Sequence, residues 1–197
     1  MKRLFVPLVL ALTILGAAGA HAATLRRATF AGGCFWCMQP PFDALKGVSS
    51  TRVGYTGGDK ANPTYEEVSA GGTGHAESIE VLYDPTVVTY EKLLEVFWKN
   101  IDPLARNAQF CDFGTQYRSA IFVHDDEQRT LAEASKKALA PRFRLPIVTE
   151  IVKANEFWPA EDYHQSYYKK SSFRYKLYRA GCGRDHRLKE LWGESPH

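Results

Sequence analysis

Apolar and polar positions alternate or recur along most of the chain, and the two periods predict a mixture of strands and helices. Ala28-Thr29-Phe30-Ala31 is a short strand-like run. Met38, Phe42 and Leu45 then recur at spacings of three and four, which predicts a helix ending at Gly47-Val48. Val48 to Tyr55 alternates loosely and predicts a strand. Gly57 to Pro63 is a loop rich in turn residues, and Thr64 caps one short helical turn through Val68. After a second glycine loop, Gly71-Gly72-Thr73-Gly74, the stretch His75 to Tyr83 alternates well and predicts a strand that stops at Asp84-Pro85. Thr89 caps a helix whose apolar stripe is Leu93, Leu94, Phe97 and Trp98. Leu104 to Thr115 is irregular. Tyr117 to Val123 reads as a strand, Asp125 to Leu139 as a helix, Ile147 to Val152 as a strand and Ala160 to Lys170 as a short helix. The remaining stretch, about residues 172–197, reads as a loop-rich tail with Gly181-Cys182-Gly183 as its most mobile point. Arg184 to Lys189 reads as a mixed-sign solvated face.

Strands and helices interleave with uneven connections. This favours an α+β sandwich, a single domain with helices packed on a mixed, mostly antiparallel sheet. A doubly wound sheet fits less well because the glycine loops lack βαβ spacing. Phosphate binding at Gly71–Gly74 is weak, since neither a P-loop lysine nor GxGxxG follows.

The first 22 residues stand apart from this pattern. Lys2 and Arg3 form a basic start, Leu4 to Leu15 is almost wholly apolar, and Ala20-His21-Ala22 fits a cleavage site. The apolar run of about 12 residues is short of the roughly 20 that span a membrane. The expectation is a cleavable signal peptide over 1–22, a domain over 23–197, a periplasmic or secreted location, and no stable membrane association after cleavage. About 175 residues then remain, enough for one domain with a sizeable core. The net charge is +3, from 25 basic and 22 acidic residues that are scattered, so no nucleic-acid groove is expected.

Candidate chemistry centres on Gly32-Gly33-Cys34-Phe35-Trp36-Cys37. The glycines permit a sharp turn, which sets Cys34 at or near a helix N-terminus. Unpaired N–H groups there favour an anion, so a lowered thiol pKa and a nucleophilic sulfur are expected at Cys34. Cys37 stands at the CxxC spacing of a redox pair. A buried, inert cysteine is the plainer alternative, and core packing is the plainer role for Phe35 and Trp36. Glu77 follows the second glycine loop. Pointed into a pocket, it would be an acid near neutral pH; facing solvent, it would be ordinary. Tyr65 and Tyr117 are hydrogen-bond donors or half-buried packing residues. His75 and His164 are possible bases, though ordinary hydrogen-bonded roles suit both. Pro40-Pro41 sits early in the expected helix and is tolerable only near its first turn.

Gly33-Cys34-Phe35-Trp36 resembles the signature of A-type peptide methionine sulfoxide reductases. Five further blocks resemble the family in the same order: Gly54 to Gly58, Asn62 to Tyr65, Thr73 to Glu77, Asp112 to Ile121 and Ala160 to Gln165. The resemblance implies an α+β fold and reduction of methionine-S-sulfoxide, free or in proteins. It implies Cys34 as nucleophile, Phe35 and Trp36 around the S-methyl group, and Glu77 as proton donor. Tyr65 and Tyr117 then hold the oxygen, with Asp112 as a further polar residue. The residue types suit that reaction: a sulfoxide oxygen leaves only when protonated, and the attacked sulfur leaves Cys34 as a sulfenic acid. A second thiol condenses with it, and an external dithiol donor such as thioredoxin recycles the disulfide. No bound cofactor and no metal are implied; the partners are oxidised methionines in proteins and the thioredoxin-like reductant. The commoner family form has Gly at the position of Cys37 and resolves through a flexible tail. Cys182, Cys37 and Cys111 are therefore all resolving candidates, with Cys182 first on mobility. Three rivals stay open: a thioredoxin-like dithiol oxidoreductase, in which Glu77 is dispensable; a zinc module of four cysteines; and an inert disulfide-bonded domain.

Overall fold

A computed structural model describes residues 24–193. The expected signal segment over 1–22 lies outside the described residues. In chain order the elements are β1 (Arg26–Gly32), α1 (Phe35–Asp43), β2 (Val48–Thr56), α2 (Tyr65–Ala70), β3 (Ala76–Tyr83) and α3 (Tyr90–Lys99). A two-residue hairpin, β4 (Ala108–Gln109) and β5 (Asp112–Phe113), precedes β6 (Ser119–Val123), α4 (Asp126–Leu139), β7 (Glu150–Lys153) and β8 (Trp158–Pro159). Three helices close the chain: α5 (Tyr167–Lys170), α6 (Ser172–Gly181) and α7 (Arg184–Trp192).

Six strands form one sheet in the order β7-β6-β1-β3-β2-β8. Every pairing is antiparallel except β6 with β7, which α4 connects. The sheet is therefore mixed and mostly antiparallel, as the alternation along β1 to β3 predicts. Phe30 pairs with Ile79, and Ile79 with Val53, so these apolar side chains share one sheet face. Helices α1, α3 and α4 cover that face. Phe30 stacks on Phe42 of α1 at 5.3 Å and on Phe97 of α3 at 5.1 Å. Glu77 lies two residues before Ile79 and points to the same face.

The caps follow the sequence. Thr64 accepts from the Glu67 N–H and Glu67 from the Thr64 N–H, a full capping box; Thr89 accepts from the Lys92 N–H. Pro40 and Pro41 lie one turn further into α1 than expected, and the helix carries them.

The largest departure is the C-terminal part. In place of a loop-rich tail over 172–197, the structure has α6 and α7 through residue 192. Tyr175 and Leu188 are buried on their inner faces, and Trp192 Nε1–H donates to the Ile101 carbonyl. Flanking lysines and arginines mask this sparse inward spacing in the sequence. Nor is Arg184 to Lys189 wholly solvated: Arg184 is only 1 % exposed. The helix expected from Ala160 shrinks to α5, after a run of turns, and the strand expected from Ile147 begins at Glu150.

Candidate active site

The turn between β1 and α1 makes the site. Gly33 has φ +77°, and a Cβ there would come within 2.4 Å of Gln109 Cβ. Only glycine fits both demands. The turn leaves Cys34 as the N-cap of α1, 6 % exposed. From β3, the Glu77 carboxyl reaches the same helix end and accepts the Phe35 N–H at 3.0 Å. Cys34, Phe35, Trp36, Tyr65, Glu77, Asp112, Tyr117 and Tyr178 line one small pocket.

Burial dominates the electrostatics. Glu77 is 3 % exposed, and its carboxyl is pushed up from 4.5 to about 8, mainly by loss of hydration. The Phe35 N–H opposes this shift, while Asp112 and Cys37 add to it. Glu77 is thus mostly neutral at pH 7 and can donate a proton. The expected lowering at Cys34 does not occur. Desolvation first, then the Cys37 thiol and the Glu77 carboxyl, push the Cys34 thiol well up. The helix terminus favours an anion, but a second acid in a dry pocket outweighs it. The Cys37 thiol moves the other way, down to about 6, chiefly through the hydrogen bond from Cys34 and then through the Arg184 and Arg179 charges.

The remaining side chains are held from behind. Trp36 Nε1–H donates to His164 Nδ1 at 2.9 Å, and the Trp36 ring stacks on Tyr167 at 3.9 Å. Burial lowers the His164 pKa, which keeps the ring a neutral acceptor rather than a base. His75 bridges the glycine loops, accepting from the Gly58 N–H and contacting the Lys60 carbonyl. Glu161 accepts from both the Tyr65 N–H and the Tyr55 hydroxyl and fixes the start of α2. Desolvation and the Glu77 carboxyl push the Tyr65 phenol to about 12, and the same causes raise Tyr117. Both stay protonated donors.

Two residues of the site have no sign in the motif. Tyr178 of α6 donates to Asp112 and lines the pocket beside Cys34. Its position one turn before Cys182 is the available clue. Cys182 is bonded to Cys111, the neighbour of Asp112, so one disulfide ties α6 to the β4–β5 hairpin. The three resolving candidates thereby separate. Cys37 is a free thiol in contact with Cys34, whereas Cys182 is not a mobile thiol but one half of a disulfide with Cys111. That bond also takes two of the four sulfurs that a four-cysteine zinc module needs.

A proton-donating carboxyl beside a buried thiol, with a second thiol in contact, defines a thiol-based oxidoreductase. A family model described as peptide methionine sulfoxide reductase matches residues 26–196. The peptide methionine sulfoxide reductase MsrA of Bacillus licheniformis is 54% identical over 168 residues, covering 84% of this chain and 93% of the relative. That of Listeria welshimeri is 53% identical over 163 residues, covering 82% and 92%. Among solved structures, reduced Mxr1 from Saccharomyces cerevisiae aligns with a TM-score of 0.72 at 33% identity, over 75% of this chain and 86% of that one. Methionine sulfoxide reductase A of Corynebacterium diphtheriae aligns at 0.69 and 36% identity, over 75% and 76%. The chain belongs to the peptide methionine sulfoxide reductase family.

Proposed function

We propose that this oxidoreductase reduces methionine-S-sulfoxide, free or in proteins, with the residues of the Cys34 pocket in the following roles. Phe35 and Trp36 hold the S-methyl group. Tyr65 and Tyr117 donate hydrogen bonds to the sulfoxide oxygen, and Asp112 orders the pocket through Tyr178. The neutral Glu77 carboxyl protonates the oxygen as the Cys34 sulfur attacks. The protonated oxygen passes to the Cys34 sulfur: a Cys34 S–O bond forms, the S–O bond of the substrate breaks, methionine leaves, and Cys34 becomes a sulfenic acid. The Cys34 thiol proton restores Glu77, so the step balances without an outside acid. The observation that carries this assignment is the buried, protonated Glu77 beside Cys34 at the N-terminus of α1.

Cys37 is the resolving thiol. Its sulfur attacks Cys34, an S–S bond forms and water leaves. Cys111 is exposed whereas Cys34 and Cys37 are buried, so electrons from an external dithiol such as thioredoxin enter through the Cys111–Cys182 disulfide and pass inward by exchange. Mxr1, a protein of the same fold, is solved in complex with Trx2. The basic start, apolar run and small-residue site over 1–22 support export and repair of oxidised exported proteins; fractionation of a producing cell tests the location.

The test of the chemistry is turnover of each epimer of a methionine sulfoxide peptide with dithiothreitol. Wild-type protein is expected to consume the S epimer, and Cys34→Ser to abolish turnover. A dithiol oxidoreductase would instead leave both epimers untouched while exchanging disulfides. Turnover that survives in Cys34→Ser would refute the assignment.

A further inference from the structure

The outer disulfide and the pocket share one helix. Cys111–Cys182 joins the β4–β5 hairpin to α6, and Tyr178 stands one turn before Cys182 on the same face of that helix. The Tyr178 hydroxyl donates to Asp112, the residue after Cys111, and its ring meets the Trp36 ring edge-on at 5.8 Å. The Cys182 N–H donates to the Tyr178 carbonyl at 2.9 Å, and the Cys111 N–H donates to Cys182 Sγ at 3.2 Å. Two parallel cross-links, one covalent and one a hydrogen bond, therefore tie the same two elements within one helical turn. The second of them is part of the wall around Cys34.

The two elements are not held equally. The hairpin is anchored without the disulfide. Gln109 is fully buried, accepts the Asp102 N–H at 2.8 Å and donates to the Asp102 carbonyl at 2.7 Å, and the Phe110 ring lies 4.4 Å from the Arg184 guanidinium. Helix α6 has much less. Among the described residues it buries only Tyr175, while its Phe173 and Leu177 face solvent. It runs between two joints, Ser171 and Gly183, the second at φ +69°, and α7 beyond is fixed by the buried Arg184 and Leu188. A segment with so few buried apolar contacts is the first to open when a cross-link is lost. The outer bond is the link that a dithiol can reach, since Cys111 is exposed.

We propose that the Cys111–Cys182 disulfide is a redox clasp with Tyr178 as the positioning residue it controls. Formed, it holds Tyr178 in the pocket wall against Asp112 and Trp36; reduced, it lets α6 swing out and loosens the substrate site. The effect on substrate rests on the reductase assignment above; the clasp itself does not. A dithiol donor opens it by exchange: the outer S–S bond breaks, two thiols form, and the donor leaves as a disulfide. Exchange of those thiols with an inner Cys34–Cys37 disulfide re-forms the outer bond and leaves two inner thiols. Tyr178 is thus back in place in the same step that re-arms Cys34.

The test is single turnover without reductant, on protein whose Cys34 and Cys37 are thiols. Methionine release at graded concentrations of a methionine-S-sulfoxide peptide separates apparent affinity from maximal rate. The proteins compared are wild type with the clasp formed, Cys111→Ser with Cys182→Ser, Tyr178→Phe, and the three changes combined. Removing the clasp is expected to raise the half-saturating concentration by roughly tenfold, the worth of one lost hydrogen bond to a charged group, with a smaller change in maximal rate. Tyr178→Phe is expected to cost a similar factor in the clasped protein and almost nothing in the unclasped one, because the clasp acts through that hydroxyl. Equal effects of Tyr178→Phe in the two backgrounds, or an unclasped protein with wild-type affinity, would overturn the proposal. A second readout needs no sulfoxide: alkylation of Cys34 by iodoacetamide, followed by mass spectrometry, is expected to quicken several-fold once the clasp is open. If the double serine protein fails to fold by circular dichroism, wild type decides. Its outer bond is reduced with a phosphine, the reductant is removed under anaerobic conditions, and an alkylation rate equal to that of the clasped form overturns the proposal. If neither epimer turns over, the reductase assignment fails while alkylation still decides the clasp; normal turnover with unchanged alkylation does the reverse.

Discussion

Replacing Glu77 by Gln is expected to make the protein more stable and less active, and the structure sets the size of both effects. The folded protein holds the carboxyl near 8, while the unfolded chain returns it to about 4.5. Between those values the folded state binds the proton that the unfolded state releases. Stability contributed by this group therefore falls as pH rises from about 4.5, and stops falling above about 8. At pH 7 the accumulated cost is about 3 kcal/mol at 1.36 kcal/mol per unit. Gln cannot ionise and its amide oxygen can still accept the Phe35 N–H, so the variant escapes this cost. The swap also carries pH-independent terms, which cancel when the stability difference is compared between two pH values. The assay is chemical denaturation of wild-type and Glu77→Gln proteins at pH 4 and pH 7. The variant is expected to gain about 3 kcal/mol relative to wild type on going from pH 4 to pH 7. Turnover is expected to fall by about 10²–10⁴, the usual worth of a positioned proton donor. A stability difference independent of pH would refute a buried, protonated Glu77, whatever the loss of activity.

Three other outcomes follow from the same geometry. Cys37→Ala is expected to release about one methionine per protein and then stall with Cys34 as a sulfenic acid, detectable by a sulfenic-acid-specific probe; continued turnover with a protein donor would contradict the resolving role. Gly33→Ala forces a Cβ against Gln109 at a left-handed φ, so a loss of roughly 1–3 kcal/mol or more is expected in denaturant melts. Cys182→Ser opens a bond spanning 71 residues, and the unfolded-chain entropy alone is worth about 4 kcal/mol of stability; an unchanged denaturation midpoint would show that the bond restrains little.

Much of the fold is legible in local residue order, because local signals set it. The period-two pattern around Ile79 and Val81 finds its strand, and Thr64 and Thr89 cap helices as side chains of their type do. The motif also locates the pocket, since the Gly33 turn and the helix N-terminus are made by adjacent residues. What local order does not carry is dryness. Cys34 has the dipole that lowers a thiol pKa, yet burial in the closed pocket first, then Cys37 of the same helix and Glu77 from β3, reverse the sign. The C-terminal helices escape for a related reason. Their buried positions are few and separated by charged residues, so the hydrophobic period is thin until Cys182 bonds to Cys111 and Arg184 fills its site. Tyr178 belongs to the pocket only through that docking.

The placement of the four sulfurs gives the molecule two terminals. The pair at the start of α1 is buried, and the bond between the β4–β5 hairpin and α6 has Cys111 at the surface. A large reductant in the medium meets the outer bond first, because Cys111 is exposed and the inner thiols are not. The inner thiol is reached through an aperture framed by aromatic rings and a carboxyl, so access itself filters what can oxidise it. On the route proposed above, the donor meets the outer bond while the substrate meets Cys34, so recharging does not require the donor to enter the pocket.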